Sequence, residues 1–104
     1  MNVMFYNASS FNQPLNSWDT SSVTNMEDMF WQVSLFNHPI NSWDTSSVTD
    51  MSAMFNSATS FNYSLESWNV SNVTDMHWMF NNASSFNQPI QDWGWDVSLS
   101  LIHI

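Results

Sequence analysis

The 104-residue chain has the length of one small domain, and nine carboxylates without a single lysine or arginine give it a net charge of −9. Binding to nucleic acid or to anionic lipid headgroups depends on lysine and arginine, so composition argues against both roles. No cysteine is present for disulfide or thiolate chemistry, and no apolar run is long enough for a transmembrane helix.

One 25-residue pattern recurs about four times, in units that begin near residues 11, 36, 61 and 86 after a partial unit at 1–10. Such a period predicts a solenoid, because each unit buries its apolar face only against its neighbours. We assign residues 1–98 to this repeat domain and residues 99–104 to an off-pattern tail. The recurring aromatic positions include Phe11, Phe36, Phe61 and Phe86, and Trp18, Trp43, Trp68 and Trp93.

The first element of each unit is predicted to be a short parallel strand. Residues 15–23 follow the L-x-x-L-x-L spacing of leucine-rich repeats. Alternation along a strand places Trp18 and Thr20 toward the core. We interpret the recurring tryptophans as core residues, and the alternative is a ladder of rings that stack on carbohydrate. The outward position of the strand is occupied in successive units by Asp19, Asp44 and Asn69.

The second element is predicted to be a helix of about two turns, because the apolar spacing changes from two residues to about 3.6. A serine and a polar residue three positions later resemble an N-cap. The sequence therefore predicts an α/β, leucine-rich-repeat-like solenoid with one strand and one helix in each unit. The apolar positions of the first helix are Val23, Met26, Met29, Phe30 and Val33.

The return segment of each unit carries an asparagine directly after the phenylalanine, as at Asn12 and Asn37. We expect these asparagines to stack and to satisfy backbone groups of the loops, with ligand binding as the alternative.

The outward row of Asp19, Asp44 and Asn69 is a candidate binding surface. Two carboxylates on adjacent rungs repel each other by roughly 1 kcal/mol in water, and a bound Ca²⁺ would relieve that repulsion. The favoured alternative is that these side chains accept hydrogen bonds from nearby backbone or hydroxyl groups. The third member of the row is neutral, and no calcium-binding loop is present, so we predict no metal site and no cofactor.

Three tryptophans do not recur, at Trp31, Trp78 and Trp95, and the first two are the other candidate binding residues. Trp31 aligns with asparagine in later units, and Trp78 aligns with aspartate and alanine in earlier ones. Positions that accept polar residues elsewhere are expected to face solvent, where a tryptophan serves as an interface anchor. The alternative is incidental aromatic packing on the adjacent helix.

No arrangement of residues indicates catalysis. The three histidines occupy unrelated positions, and a chain with one glycine has neither a nucleophile elbow nor a phosphate-binding loop. We therefore expect a protein that is not an enzyme.

The string W-D-T-S-S-V-T-D-M at residues 43–51, continued by Met54-Phe55, resembles the bacterial surface-protein repeat. This leucine-rich-like repeat occurs in BspA-like proteins, mycoplasma surface lipoproteins and listerial wall-anchored proteins, and the resemblance covers about residues 1–98. It implies a right-handed solenoid outside the cell, associated with adhesion and with binding of host or partner proteins. It brings no catalytic residues, and the extracellular or cell-surface location follows from the resemblance alone.

We therefore expect a non-enzymatic surface or secreted scaffold that mediates protein–protein interaction or adhesion, with a protein or a surface polymer as its partner. The alternative is a carbohydrate-binding module that uses Trp31 and Trp78. Because the pattern is cut at both ends, we expect an internal fragment of a longer array, and its uncapped ends are predicted to associate end to end.

Overall fold

The computed structural model describes residues 6–89, Trp93 and Trp95. Over these residues the chain forms turns and loops without a helix, and its regular pairing consists of isolated parallel bridges from Asn25 to Asp50 and from Asp50 to Asp75. The predicted α/β, leucine-rich-repeat-like solenoid is therefore wrong. The protein is a loop-rich compact globule in which successive repeat units lie side by side. The predicted off-pattern tail lies outside the described residues.

The segment predicted to be a helix is the one through which neighbouring units pair. Four backbone N–H groups in the first unit donate to carbonyls 24 residues later, over distances of 2.8–3.0 Å. These donors lie two residues apart, as in a parallel ladder, whereas a helix would direct each N–H four residues back along the chain. The donors are Met26, Asp28, Phe30 and Gln32, and the acceptors are Asp50, Ser52, Met54 and Asn56.

Tight turns explain why this segment has helical spacing without being a helix. Residues 26–29 and 30–33 form two consecutive turns, each closed by a backbone hydrogen bond of 3.1–3.2 Å between its last and first residues. The third residues of these turns, Asp28 and Gln32, have φ angles of 58° and 59°. A positive φ at that position is typical of a type II turn. The aligned residues with the same conformation, at φ 55–64°, are Ala53, Ser57, Trp78 and Asn82.

The segment predicted to be a strand, at residues 15–23, also consists of turns and extended loop. Backbone hydrogen bonds link Trp18 to Leu15 and Val23 to Thr20 within the unit. The predicted alternation of side chains is nevertheless confirmed at its centre, because Thr20 is buried and its neighbour Asp19 is exposed.

Recurring aromatic side chains stack in columns across the units, as the repeat predicts. Trp43 and Trp68 are 3 % exposed, and their rings lie 6.4 Å apart at an interplanar angle of 4°. Trp18 and Trp93 are half-buried against this core. The core position predicted for the recurring tryptophans is therefore confirmed for the two central rings. A second column stacks Phe30, Phe55 and Phe80 at 5.5 Å intervals.

Buried polar atoms are also satisfied by neighbouring units. The indole Nε1 of Trp43 donates to the Leu15 carbonyl at 2.9 Å, and Trp68 donates to the Ile40 carbonyl at 3.0 Å. The buried Thr45 hydroxyl donates to the Asn69 carbonyl at 3.1 Å. Because a buried polar group without a partner is costly, these bonds fix the register between units as well as adding stability.

The recurring asparagines form a second ladder on the return segment. The Oδ1 of Asn12 accepts from the backbone N–H of Asn37, and Asn37 and Asn62 accept in the same way from the next unit, over distances of 2.9–3.4 Å. The prediction that they satisfy loop backbone groups is confirmed.

A candidate binding groove between three repeat units

The predicted outward row makes local hydrogen bonds. Asp19 Oδ1 accepts from the backbone N–H and the hydroxyl of Ser21, at 3.1 and 2.7 Å. Asp44 accepts from Ser46 in the same way, at 3.0 and 2.6 Å. These hydrogen bonds lower the pKa of the Asp19 and Asp44 carboxyls. The serine hydroxyl makes the larger contribution and the backbone N–H the smaller one. Asn69 at the third position accepts the backbone N–H of the serine two residues later.

These contacts are those of turns closed by an aspartate or asparagine side chain. They match the hydrogen-bonding alternative to a Ca²⁺ site. In the described part of the chain, no group of three or more histidine, aspartate or glutamate side chains is placed to hold a metal ion.

Trp31 and Trp78 lie together at a different place, in one open groove with a volume of about 590 Å³. The sequence assigned Trp31 and Trp78 together to the alternative carbohydrate-binding surface, but it did not predict the groove between them or the acidic residues beside them. The groove does not include Asp19, Asp44 or Asn69. Among the residues that line it are Tyr6, Glu27, Asp28, Trp31, Asp75 and Trp78.

At two positions that line the groove, the middle unit carries a smaller side chain where one of its neighbours carries a tryptophan. Ala53 aligns with Trp78 of the next unit, and Asn56 aligns with Trp31 of the preceding one. Both Ala53 and Asn56 line the groove. The depression is therefore formed by departures from the repeat, which is the signal that sequence alignment of the units could have supplied.

Its aromatic side chains are accessible from solvent. Trp78 is 44 % exposed and Tyr6 is 41 % exposed. The Tyr6 and Trp31 rings lie 4.4 Å apart at an interplanar angle of 48°. The His77 ring meets the Trp78 ring edge-on, with 5.1 Å between ring centres. The prediction of a solvent-facing tryptophan is confirmed for Trp78, whereas Trp31 is half-buried against Tyr6.

Negative charge is concentrated in the same groove. Repulsion from Asp50 raises the pKa of Glu27, and partial burial together with Asp28 and Asp75 raises it further. Burial, and then repulsion from Asp50, raises the pKa of Asp28. A carboxyl whose folded-state pKa is raised stabilises the fold below its unfolded pKa and loses that contribution as pH rises through the folded value. At neutral pH the ionised groove is therefore a source of electrostatic strain.

With this geometry established, comparison with known families adds an assignment. A family model described as "Mycoplasma protein of unknown function, DUF285" matches residues 1–100. The chain belongs to this family. The match supports the coarser resemblance, to a family related to surface repeats, and does not identify the BspA-like leucine-rich-like repeat specifically.

No curated protein and no solved structure matches the chain. Across the residues that the structure describes, there is no helix with the length and apolar character needed to cross a lipid bilayer.

Proposed function

We propose that this chain is part of a non-enzymatic, cell-surface or secreted repeat scaffold that mediates protein–protein interaction or adhesion. The observation that carries the proposal is the groove, in which two non-recurring tryptophans are displayed by an otherwise uniform array. Tryptophan is enriched among residues that dominate binding energy at protein interfaces. The finer resemblance to BspA-like proteins and mycoplasma surface lipoproteins supports the same location and role.

The division of residues between packing and display is consistent with a scaffold. Its recurring tryptophans, phenylalanines and asparagines are used in packing and in hydrogen bonds between units. The residues left over for recognition are those that vary between units, and several of them gather in the groove. An array of this kind can display one binding surface without needing any reactive centre.

A carbohydrate-binding surface is the second candidate. Sugars stack on exposed aromatic rings, and the groove places Trp31 and Trp78 beside carboxylate and amide side chains that can accept or donate hydrogen bonds. A protein partner is favoured because the acidic character of the groove offers charge complementarity that neutral glycans do not use.

The test is a binding comparison on two defined arrays, one of purified extracellular proteins and one of glycans. The chain should bind at least one protein, and Trp78→Ala should weaken that binding. Tyr63→Ala is the matched control, because Tyr63 is an exposed aromatic residue outside the groove. Binding to glycans alone would favour the second candidate, and binding to neither array would contradict the scaffold proposal.

A further inference from the structure

We propose that the groove binds an arginine side chain presented by a protein partner, with the guanidinium held against the Trp31 and Trp78 rings and paired with the carboxylates of Glu27, Asp28 and Asp75. This inference rests on the proposed protein-binding role and specifies the chemical group that the site recognises.

The groove brings aromatic faces and acids together in one cavity. A cation over an aromatic ring is attracted by the quadrupole of the ring, and tryptophan is the strongest partner. Trp78 supplies an exposed ring, and three carboxylates line the same groove. A guanidinium is planar, stacks on aromatic faces and pairs with carboxylates through two parallel hydrogen bonds, so it uses both features at once.

The carboxylates in and beside the groove repel one another. Glu27 is destabilised by Asp50, Asp28 and Asp75, which raise its pKa. A bound cation would replace this repulsion with attraction. Binding should therefore weaken as pH falls through the raised pKa values of Glu27 and Asp28. His77 also lines the groove.

The groove suits an organic cation better than a metal ion or the same segment of a second copy. The described residues contain no group of acids and histidines positioned to hold a metal ion. These 104 residues contain no lysine or arginine, so the same segment of a second copy does not supply such a side chain. The arginine is therefore expected to come from outside this segment.

The test uses the full chain and a minimal probe, acetyl-Gly-Arg-Gly-amide, followed through the ¹⁵N–¹H signals of the indole groups. The signals of Trp31 and Trp78, assigned with single Trp→Phe variants, should shift on titration. The buried indoles of Trp43 and Trp68 should not shift. The matched probe replaces arginine with citrulline, which has nearly the same shape without the charge and should give no saturable shift.

Three variants locate the effect. Glu27→Gln should weaken the apparent affinity about threefold, whereas Glu66→Gln removes the same charge outside the groove and should leave it unchanged. Ala53→Trp should fill the groove and abolish the shifts. The aligned Trp78 already adopts φ 64°, close to the 55° of Ala53, so this substitution suits the local backbone.

Equal shifts with the citrulline probe, or equal affinities for Glu27→Gln and Glu66→Gln, would overturn the proposal. Shifts caused by choline chloride but not by the arginine probe would overturn it in favour of a lipid headgroup, and shifts caused only by methyl glycosides would do so in favour of sugars. Failure here is separable from failure of the scaffold role: a protein partner whose binding is unaffected by Ala53→Trp leaves the scaffold standing and removes the arginine site.

Discussion

The indole hydrogen bonds that cross between units offer the sharpest test of what holds the fold together. Trp43→Phe keeps an aromatic ring between Trp18 and Trp68 but removes the Nε1–H that donates to the Leu15 carbonyl. That carbonyl keeps the Trp18 backbone N–H as a second donor at 3.1 Å, so losing the indole hydrogen bond costs about 0.5–1.5 kcal/mol. The smaller ring also leaves unfilled space, so the total loss in the free energy of unfolding should be about 2–4 kcal/mol.

Urea unfolding monitored by circular dichroism measures this loss. At a urea slope of about 2 kcal/mol per M, in the middle of the range for small domains, the midpoint should fall by about 1–2 M. The control is Trp78→Phe, because Trp78 is 44 % exposed and lies in the groove. That change should cost about 1 kcal/mol or less. Equal midpoints for the two variants would refute the view that buried indole donors secure the register between units.

Three further predictions concern the turns, a buried hydroxyl and the groove. Ala53→Gly should stabilise the protein by about 1 kcal/mol, because Ala53 has φ 55° and glycine adopts that conformation without a steric penalty. Ala8→Gly, at a position where φ is not positive, should destabilise it, and thermal unfolding of the two variants measures the difference. Thr45→Val should cost about 1–3 kcal/mol in urea unfolding, because it leaves a carbonyl of the next unit without its donor. Glu27→Gln should raise the free energy of unfolding by about 0.2–1 kcal/mol at about pH 7, because it removes a repelled charge. Below about pH 4, where the carboxyl is protonated, it should have no effect. Glu66→Gln is the control variant at the same two pH values.

The repeat predicted which side chains are buried better than it predicted the backbone that buries them. A column of tryptophans in the core follows from self-similarity alone, since identical positions in neighbouring units must meet. The order of Asn12, Asn37 and Asn62 in a ladder follows from the same symmetry. No assignment of helix or strand is needed for either conclusion.

The backbone prediction failed because spacing is not unique to one conformation. Apolar residues at intervals of three and four are typical of a helix, but consecutive turns at 26–29 and 30–33 give the same pattern. The usual signal for such turns is a glycine at the positive-φ position, and the aligned residues are Asp28, Ala53 and Trp78 instead. Nothing in those side chains distinguishes the two structures.

The sequence predicted the two tryptophans of the candidate site but not the groove or its acids, for a related reason. Trp31 and Trp78 stand out because they break the repeat, and alignment alone identifies them. Their convergence depends on the smaller residues of the intervening unit and on how units are laid against each other. The acids beside them, including Glu27, were not singled out because one charged residue in an exposed loop carries little information.

Pairing at a constant offset of 24 residues, seen in the bonds from Met26 to Asp50 and from Met51 to Asp75, has a consequence for how such a gene can change. Recombination between near-identical coding segments can insert or delete one whole period. Each remaining unit then still pairs with a neighbour through equivalent hydrogen bonds. An insertion whose length is not a whole number of periods would misalign the indole donors and the asparagine ladder together. Copy number is thus free to drift, while recognition is encoded by the few residues that differ between copies, so that reach and specificity evolve separately.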